Sequence, residues 1–396
     1  MSEHAHERMR EFRHGAILVV LAVVLTAAFH NTFLVRDLER ANLDSFYSLS
    51  GEQSSPDIEI VAITEDDYPN FTGAHGALDR EKVMDVIRGI SEAGAAIVAI
   101  DILTPDWPTD TEQQIGTSTP LVWVRGIHDA GPHGATLDPV LGGDGRGICQ
   151  GPAALREIGG MAREYTKHVA VTGDGVVPSF TRVVERIHES PGSAALCTED
   201  SEANEFEPIG YMGKAGTFRH VSAGTVLAAR KTPDWASRKL MAGKIVLLGG
   251  TFAASRDDYK TPVQDRMYGV EVLANIIASD VSHKWIDEAG WWLFLVVDAL
   301  VGLALVTIGL WVQDLRALFV MLLAVLVIAL GSVFLFQYFR FYLSFMPVVA
   351  GVTIHFLLEQ WQRCGHMRSE NIRLTHENKL LNERARELGR RLEKQP

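Results

Sequence analysis

Four apolar runs constrain this chain more than anything else in its sequence: Gly15 to Leu34, Trp291 to Val312, Ala317 to Gln337 and Phe341 to Gln360. Each has the roughly 20 residues that a helix needs to cross a bilayer. The sequence therefore predicts four transmembrane spans, with one large polar segment between the first and the second. Basic flanking residues set the orientation. Arg8, Arg10 and Arg13 precede the first run, Arg316 lies in the turn between the second and third, and 9 Lys or Arg follow Gln362. Arg340, in the opposite turn, is outvoted. Both termini are then cytoplasmic and Val35 to Gly290 lies outside. Trp285, Trp291, Trp292, Tyr338 and Tyr342 fall at the outer interface, and Trp311 and Trp361 at the inner one. The first run is longer than the roughly 7 to 15 residues of a signal-peptide core, so a retained anchor is expected. The expected layout is a cytoplasmic N-terminus over 1–14, spans at 15–34, 291–312, 317–337 and 341–361, an outer domain over 35–290, and a cytoplasmic helix over 362–396.

Charge is partitioned along this layout. Val35 to Gly290 carries 38 Asp or Glu against 23 Lys or Arg, while the tail from Gln362 has 9 Lys or Arg against 5 Glu. An acidic outer domain argues against nucleic acid or anionic lipid as its ligand, and the basic tail suits an anionic inner leaflet. Of 3 cysteines, Cys149 and Cys197 lie in the outer segment and Cys364 lies inside. An oxidising compartment favours a Cys149–Cys197 disulfide, the alternative being two separate thiols.

Within the outer segment, Arg36 to Ser50 reads as a helix. Asp57 to Thr64 is a β-branched strand, and Asp79 to Ala93 is a helix with Asp79 as N-cap and Val83, Val86, Ile87 and Ile90 on one face. Ala95 to Leu103 is a second buried strand, which makes a βαβ unit with parallel strands. Leu121 to Arg125 reads as a strand, and Gly126 to Gly160, rich in Gly, Pro and Asp, as loop. His168 to Thr172 and Val176 to Phe180 flank Gly173-Asp174-Gly175 as a hairpin. Phe180 to His188 is a short helix, Phe218 to Ala223 leads into another through Ala229, Lys244 to Leu248 is a strand, and Val270 to Ser279 is the last helix.

Several stretches, in order, resemble a CHASE2 sensor protein: DIEIVAITEDDY from Asp57, the helix start at Asp79-Arg80, AGAAIVAIDIL from Ala93, GDGVV from Gly173, FRHVSAGTVL from Phe218, GKIVLLGGTFAASRDDYKTPV from Gly243 and YGVEVLANIIA from Tyr268. The resemblance covers roughly Arg36 to Phe356. It implies an α/β extracytoplasmic sensor domain of a bacterial signalling receptor, set between the first transmembrane helix and a three-helix transmembrane bundle, in the inner membrane. Two stretches depart from the family pattern: Ala74 to Leu78 replaces a Trp and Pro, and Pro178 stands where a basic residue follows the hairpin. Such receptors usually carry a cytoplasmic kinase or cyclase domain, and about 35 residues after the last span are too few to fold one.

Those residues instead space Met367, Asn371, Leu374, Asn378, Leu381, Ala385, Leu388 and Leu392 as a heptad seam. Asn371 and Asn378 at a positions fix register and favour a parallel homodimer, the alternative being a lone amphipathic helix on the membrane. His376 falls at a solvent-facing position, which argues against a phosphoacceptor role.

Candidate site residues follow from strand ends and from the membrane. Glu65, Asp66 and Asp67 follow the first strand, Asp101 and Asp106 the second, and Asp257 and Asp258 the last. In open α/β sheets ligands sit beyond the carboxyl ends of the strands. Glu65, Asp101, Asp106, Asp257 and Asp258 are therefore a candidate site for an oxygen-ligated cation or an amine-bearing solute, against a reading as turn caps. His128 and His133, with Asp129 between them, lack a third ligand at a telling spacing for a transition metal. Gly249-Gly250 leads to Thr251-Phe252 rather than to the Lys-Ser/Thr of a phosphate-binding loop. Asp298, about seven residues into its span, is a functional candidate by its depth alone, or else a packing hydrogen bond to Ser332.

The leading expectation is a receptor with no catalytic activity and no cofactor, sensing an unidentified extracytoplasmic ligand and signalling through the membrane helices and the coiled coil to a separate cytoplasmic effector. A membrane-tethered metal-dependent hydrolase would take up metal tightly and turn over substrate. A structural scaffold of an envelope complex would copurify with its neighbours whatever solute was added.

Overall fold

The computed structural model describes residues 3–29, 32–53, 55–72, 77–108, 110–131, 134–138, 149–172, 175–191, 206–309, 315–346, 349–351, 353–354, 373–375 and 377–380. The chain divides into two compact units, one of residues 1–43 with 288–396 and one of residues 44–287. Two helices open it, α1 (Glu3–Phe29) and α2 (Phe33–Leu49). The first apolar run spans the end of α1 and the start of α2, and His30 and Asn31 between them lie outside the described residues.

The elements of the 44–287 unit that build its core are, in chain order, β1 (Ile58–Thr64), α3 (Arg80–Glu92), β2 (Ile97–Asp101), β3 (Leu121–Arg125), β4 (Gln150–Pro152), β5 (Met161–Thr166), α4 (Phe180–Glu189), β6 (Arg219–Ser222), α5 (Ala223–Arg230), β7 (Ile245–Thr251) and α6 (Gly269–Val281). Six strands form one all-parallel sheet in the order β6-β1-β7-β2-β3-β4. The βαβ unit is present, but its strands are not neighbours: β7 lies between β1 and β2, with Ile60 opposite Leu247 and Val246 opposite Val98. Nothing local to residues 57–103 encodes that insertion.

Both faces of the sheet are covered, which is why its strands read as unbroken apolar runs. On one face Val61, Ile63, Val98, Ile100, Val246 and Leu248 pack with Val83, Val86, Ile87 and Ile90 of α3 and with Val226 of α5. Helices α4 and α6 pack on the sheet as well and against each other. Each fully buried aliphatic side chain contributes about 1.5–3 kcal/mol. The Asp79 carboxylate caps α3 by accepting from the Glu81 and Lys82 amides. Arg230 at the end of α5 binds Glu92 at 3.0 Å and Asp85 at 2.7 Å, and the Trp235 indole donates to the Gly89 carbonyl at 2.8 Å.

The Gly/Pro-rich stretch expected to be loop contains strands at Ile127–Gly131, Gly134–Leu137, Gln150–Pro152 and Leu155–Ile158. Composition conceals β4 because Gly151 is needed there: a Cβ would lie 2.6 Å from the Phe180 nitrogen. Strand β5 is the centre of a separate antiparallel sheet between Leu155–Ile158 and Phe206–Pro208. The expected hairpin pairs His168–Val171 with Gly175–Pro178. Cys149 is disulfide-bonded, and Cys197 lies outside the described residues.

In the other unit, α7 (Trp291–Gly309) runs antiparallel to α1 in an exchange of small and large residues. A Cβ on Gly15 would lie 2.5 Å from Val306, and one on Gly302 would lie 2.8 Å from Val19. Small residues of this kind let apolar helices approach closely. Among the described residues one helix is long and apolar enough to cross a membrane, through Leu322–Phe339 of α8 (Leu315–Phe339), and shorter apolar stretches are Phe12–Ala28 and Trp292–Ala304. The fourth run opens with an extended pair, Phe341–Tyr342. Leu374 and Asn378 lie in helical segments, whereas Met367, Asn371, His376, Leu381, Ala385, Leu388 and Leu392 lie outside the described residues.

Gly249 in β7 seats α6 on the sheet, since a Cβ there would lie 2.8 Å from the Val270 side chain. Gly249→Ala should destabilise the protein by about 1–3 kcal/mol, read as a lowered melting temperature of the full chain in detergent. Gly51→Ala, which meets nothing within 4 Å, should be close to neutral.

Candidate functional site

Polar groups in a sheet covered on both faces gather at its two edges, and here the edges differ. At the amino edge, Glu59 is fully buried, and its carboxylate takes Lys244 at 2.6 Å and Arg219 at 3.5 Å. At the carboxyl edge, Asp101 ends β2 and Asp257 follows the turn after β7, and no ion pair reaches either among the described residues. The Asp101 Oδ2 is enclosed and lacks a hydrogen-bond partner among the described residues.

The local backbone explains the placement of Asp257. After β7 the chain makes a short 3-10 turn, Ala253–Ser255, and Arg256 adopts a left-handed φ of 52°. This turns Asp257 back against the start of α6. The Gly269 amide donates to the Asp257 carbonyl at 2.8 Å, and the carboxylate lies so close over Gly269 that a Cβ there would be 2.1 Å from Oδ2. The positive end of α6 is thus already faced by a carboxylate of the chain itself. That is the physical reason the glycine turn in GKIVLLGGTFAASRDDYKTPV is no phosphate cradle.

Burial, and then the charge of Asp257, pushes the Asp101 carboxyl well above the usual carboxylate range. Burial also raises Asp257, against the opposing pull of a hydrogen bond with Tyr259, and the Asp258 charge raises it further. Tyr259 is raised in turn by burial and by both carboxylates. Two carboxyls in such surroundings favour a shared proton or a bound cationic group over two free charges.

The other expected members are placed differently. Glu65 accepts the Ala253 amide at 2.7 Å and so braces the turn after β7. Asp258 points to Arg266 at 3.2 Å, and Asp106 is exposed. Asp67 binds the Thr64 hydroxyl at 2.9 Å and the Ser222 hydroxyl at 2.9 Å, joining the ends of β1 and β6. Five carboxylates therefore reduce to a pair. Among the described residues no group of three or more His, Cys, Asp or Glu is arranged to hold a metal ion. His128 pairs with Asp138 at 2.5 Å, and His133 lies outside the described residues. Sequence reasoning missed Tyr259 and Gly269, although both stand in the stretches that carried the family resemblance.

In the other unit the expected partner of Asp298 is corrected. Ser332 donates to the Ile328 carbonyl of its own helix at 2.9 Å, because a serine inside an apolar helix finds its nearest acceptor one turn back. Asp298 is 3% exposed and packs directly on Gly351, with Thr26 of α1 beside it. The Asp298 Oδ2 and the Thr26 hydroxyl are both enclosed.

A parallel sheet covered by helices on both faces defines a mixed α/β domain. The family model of the CHASE2 domain matches residues 16–313, about three-quarters of the chain, and the chain belongs to the CHASE2 family, whose members are extracellular sensory domains. No curated protein and no solved structure matches it.

The raised carboxyl of Asp101 has a signed consequence. A group whose folded pKa exceeds its unfolded value adds stability at low pH that is lost as pH rises through the folded value. Asp101→Asn removes that loss. The melting temperature of the variant relative to wild type should therefore climb as pH rises above the ordinary aspartate range.

Proposed function

We propose that this protein is a receptor of the bacterial inner membrane that binds an extracytoplasmic cation or amine-bearing solute at the Asp101–Asp257 pair. The observation that carries this reading is the pair itself: two carboxyls, one with an enclosed and unpartnered oxygen, at the carboxyl edge of a sensory-family sheet and without a neighbouring Lys or Arg ion pair among the described residues. A cationic group placed between them relieves both the burial and the mutual repulsion of the charges.

In this reading four membrane spans hold the domain outside, with the N and C termini in the cytoplasm. The heptad seam from Met367 to Leu392 joins two copies, and the output passes to a separate effector rather than to catalysis by this chain. Nucleic acid is not a partner, and no cofactor is required. Ligand binding shifts the receptor between two states only by its difference in affinity for them.

The test is a thermal-shift series on the full chain in detergent against Ca²⁺, Mg²⁺ and a panel of small amines. A binding solute at about 100 times its Kd should stabilise wild type by about 2.7 kcal/mol and leave the Asp101→Asn/Asp257→Asn variant unmoved. Equal shifts in the two proteins would contradict the site, as would no shift with any of these solutes.

A further inference from the structure

The chain enters the 44–287 unit at the end of α2 and leaves it after α6, and both places are fastened to strand β5. Arg163, Tyr165 and Lys167 alternate along β5 and the residue that follows it, so their side chains share one face. Arg163 holds Asp44 at 2.5 Å through Nη2 and at 3.3 Å through Nε. Tyr47 adds a hydrogen bond to the Ile209 carbonyl at 2.6 Å and an edge-on contact with Tyr211, whose hydroxyl binds the Ala162 carbonyl at 2.8 Å. At the other end, Tyr165 donates to the Asp280 Oδ1 at 2.6 Å, and the Trp285 indole donates to the same oxygen at 2.9 Å. Lys167 stands 3.6 Å from that oxygen and 4.7 Å over the Trp285 ring. Strand β5 is also bonded to the segment after Asp257, through the Ala162 amide to the Lys260 carbonyl at 2.8 Å.

We propose that Asp280, gripped between Tyr165 of β5 and Trp285 of the departing chain, is a proton-operated latch whose closed state takes up a proton. Asp280 is fully buried, and its Oδ2 has no hydrogen-bond partner among the described residues, leaving one oxygen enclosed and ready for a proton. The groups facing it come from every element packed around it: Tyr165 and Lys167 with β5, Glu207 from Phe206–Pro208, Glu185 and Arg182 from α4, and Trp285. Glu185 is itself occupied by Arg182 at 2.7 Å, and Glu207 stands 3.4 Å from Lys167. Lys167 is thus shared between two carboxylates and compensates neither fully.

Burial pushes the Asp280 carboxyl up to about 6, against the lowering pull of Lys167 and of the Tyr165 and Trp285 hydrogen bonds. Released into water, the same carboxyl returns to the ordinary value of 3.8. The sign follows from linkage: the closed latch binds the proton more tightly than the open one, so acid closes it. Between about pH 4 and about pH 6 the closed state gains up to roughly a hundredfold over the open one, a factor of ten for each unit separating the two values. Because the latch concerns the 44–287 unit alone, it stands whether or not the Asp101–Asp257 pair binds a solute.

The test is acrylamide quenching of Trp285 in the full chain in detergent, read as the difference between wild type and Trp285→Phe across pH. Trp285 is 38% exposed with the latch closed, and its quenching should rise further as pH increases between about 4 and about 6. Asp280→Asn, which is neutral at every pH, should keep the low-pH quenching throughout, and Lys167→Met should move the transition to higher pH because it removes the cation that favours the charged form. His283 stacks edge-on to Trp285 at 5.1 Å, so His283→Gln must keep the transition. A pH-independent Trp285, a transition that survives Asp280→Asn, or one that vanishes in His283→Gln overturns the proposal. Should Asp280→Asn fail to fold, the direction of the Lys167→Met shift decides.

Discussion

Burial of a parallel sheet on both faces is the constraint from which the rest of this structure follows. Strands β1, β7 and β2 have no solvent face, so their side chains are apolar between the strand ends and polar chemistry is displaced to those ends. The two edges then part company. Glu59 at the amino edge lies against Lys244 and Arg219 and serves the fold. Asp101 and Asp257 at the carboxyl edge lack such partners among the described residues, which raises both carboxyls and leaves that edge electrostatically unsettled. A sensory domain needs a place of this kind, where a ligand makes a difference in energy.

The same constraint decides how much could be read from the sequence. Runs such as IVAIT and IVLLG announce buried strands, and the 3.6-residue spacing of Val83, Val86, Ile87 and Ile90 announces the helix that covers them. The N-cap Asp79 and the hairpin around Gly173-Asp174-Gly175 are local signals and were legible for that reason. Pairing is not local: β7, more than 140 residues after β2, pairs between β1 and β2. Strand β4 was hidden because its glycine, required by the close approach of the Phe180 backbone, carries the signature of a loop. The candidate site divides along the same line. Strand ends pointed to the carboxyl edge, but which two of five carboxylates converge depends on the turn at Arg256 and on the glycine at 269.

Asp298 teaches a related lesson. Depth in the span matched it with Ser332, yet a hydroxyl in an apolar helix turns to its own backbone, and the carboxyl instead meets a glycine, Gly351. Small residues recur where the apolar helices touch, with Gly15 under Val306 and Gly302 under Val19. Strand β5 plays the corresponding part in the α/β unit. One face of it holds Asp44 and Asp280, near the two places where the chain passes into and out of the unit, and its Ala162 amide reaches the segment that carries Asp257. A change at the carboxyl edge thus has a short bonded path to both ends of the domain.

The central claim is that this domain faces outward while the C-terminal helix faces the cytoplasm. Its most direct test is labelling by a membrane-impermeant maleimide in right-side-out membranes, with single cysteines placed at exposed Asp66 and exposed Lys379 in a Cys364→Ser background. The account requires Asp66→Cys to react in sealed membranes and Lys379→Cys to react only after they are opened. The reverse pattern, or equal reaction of both in sealed membranes, would contradict it.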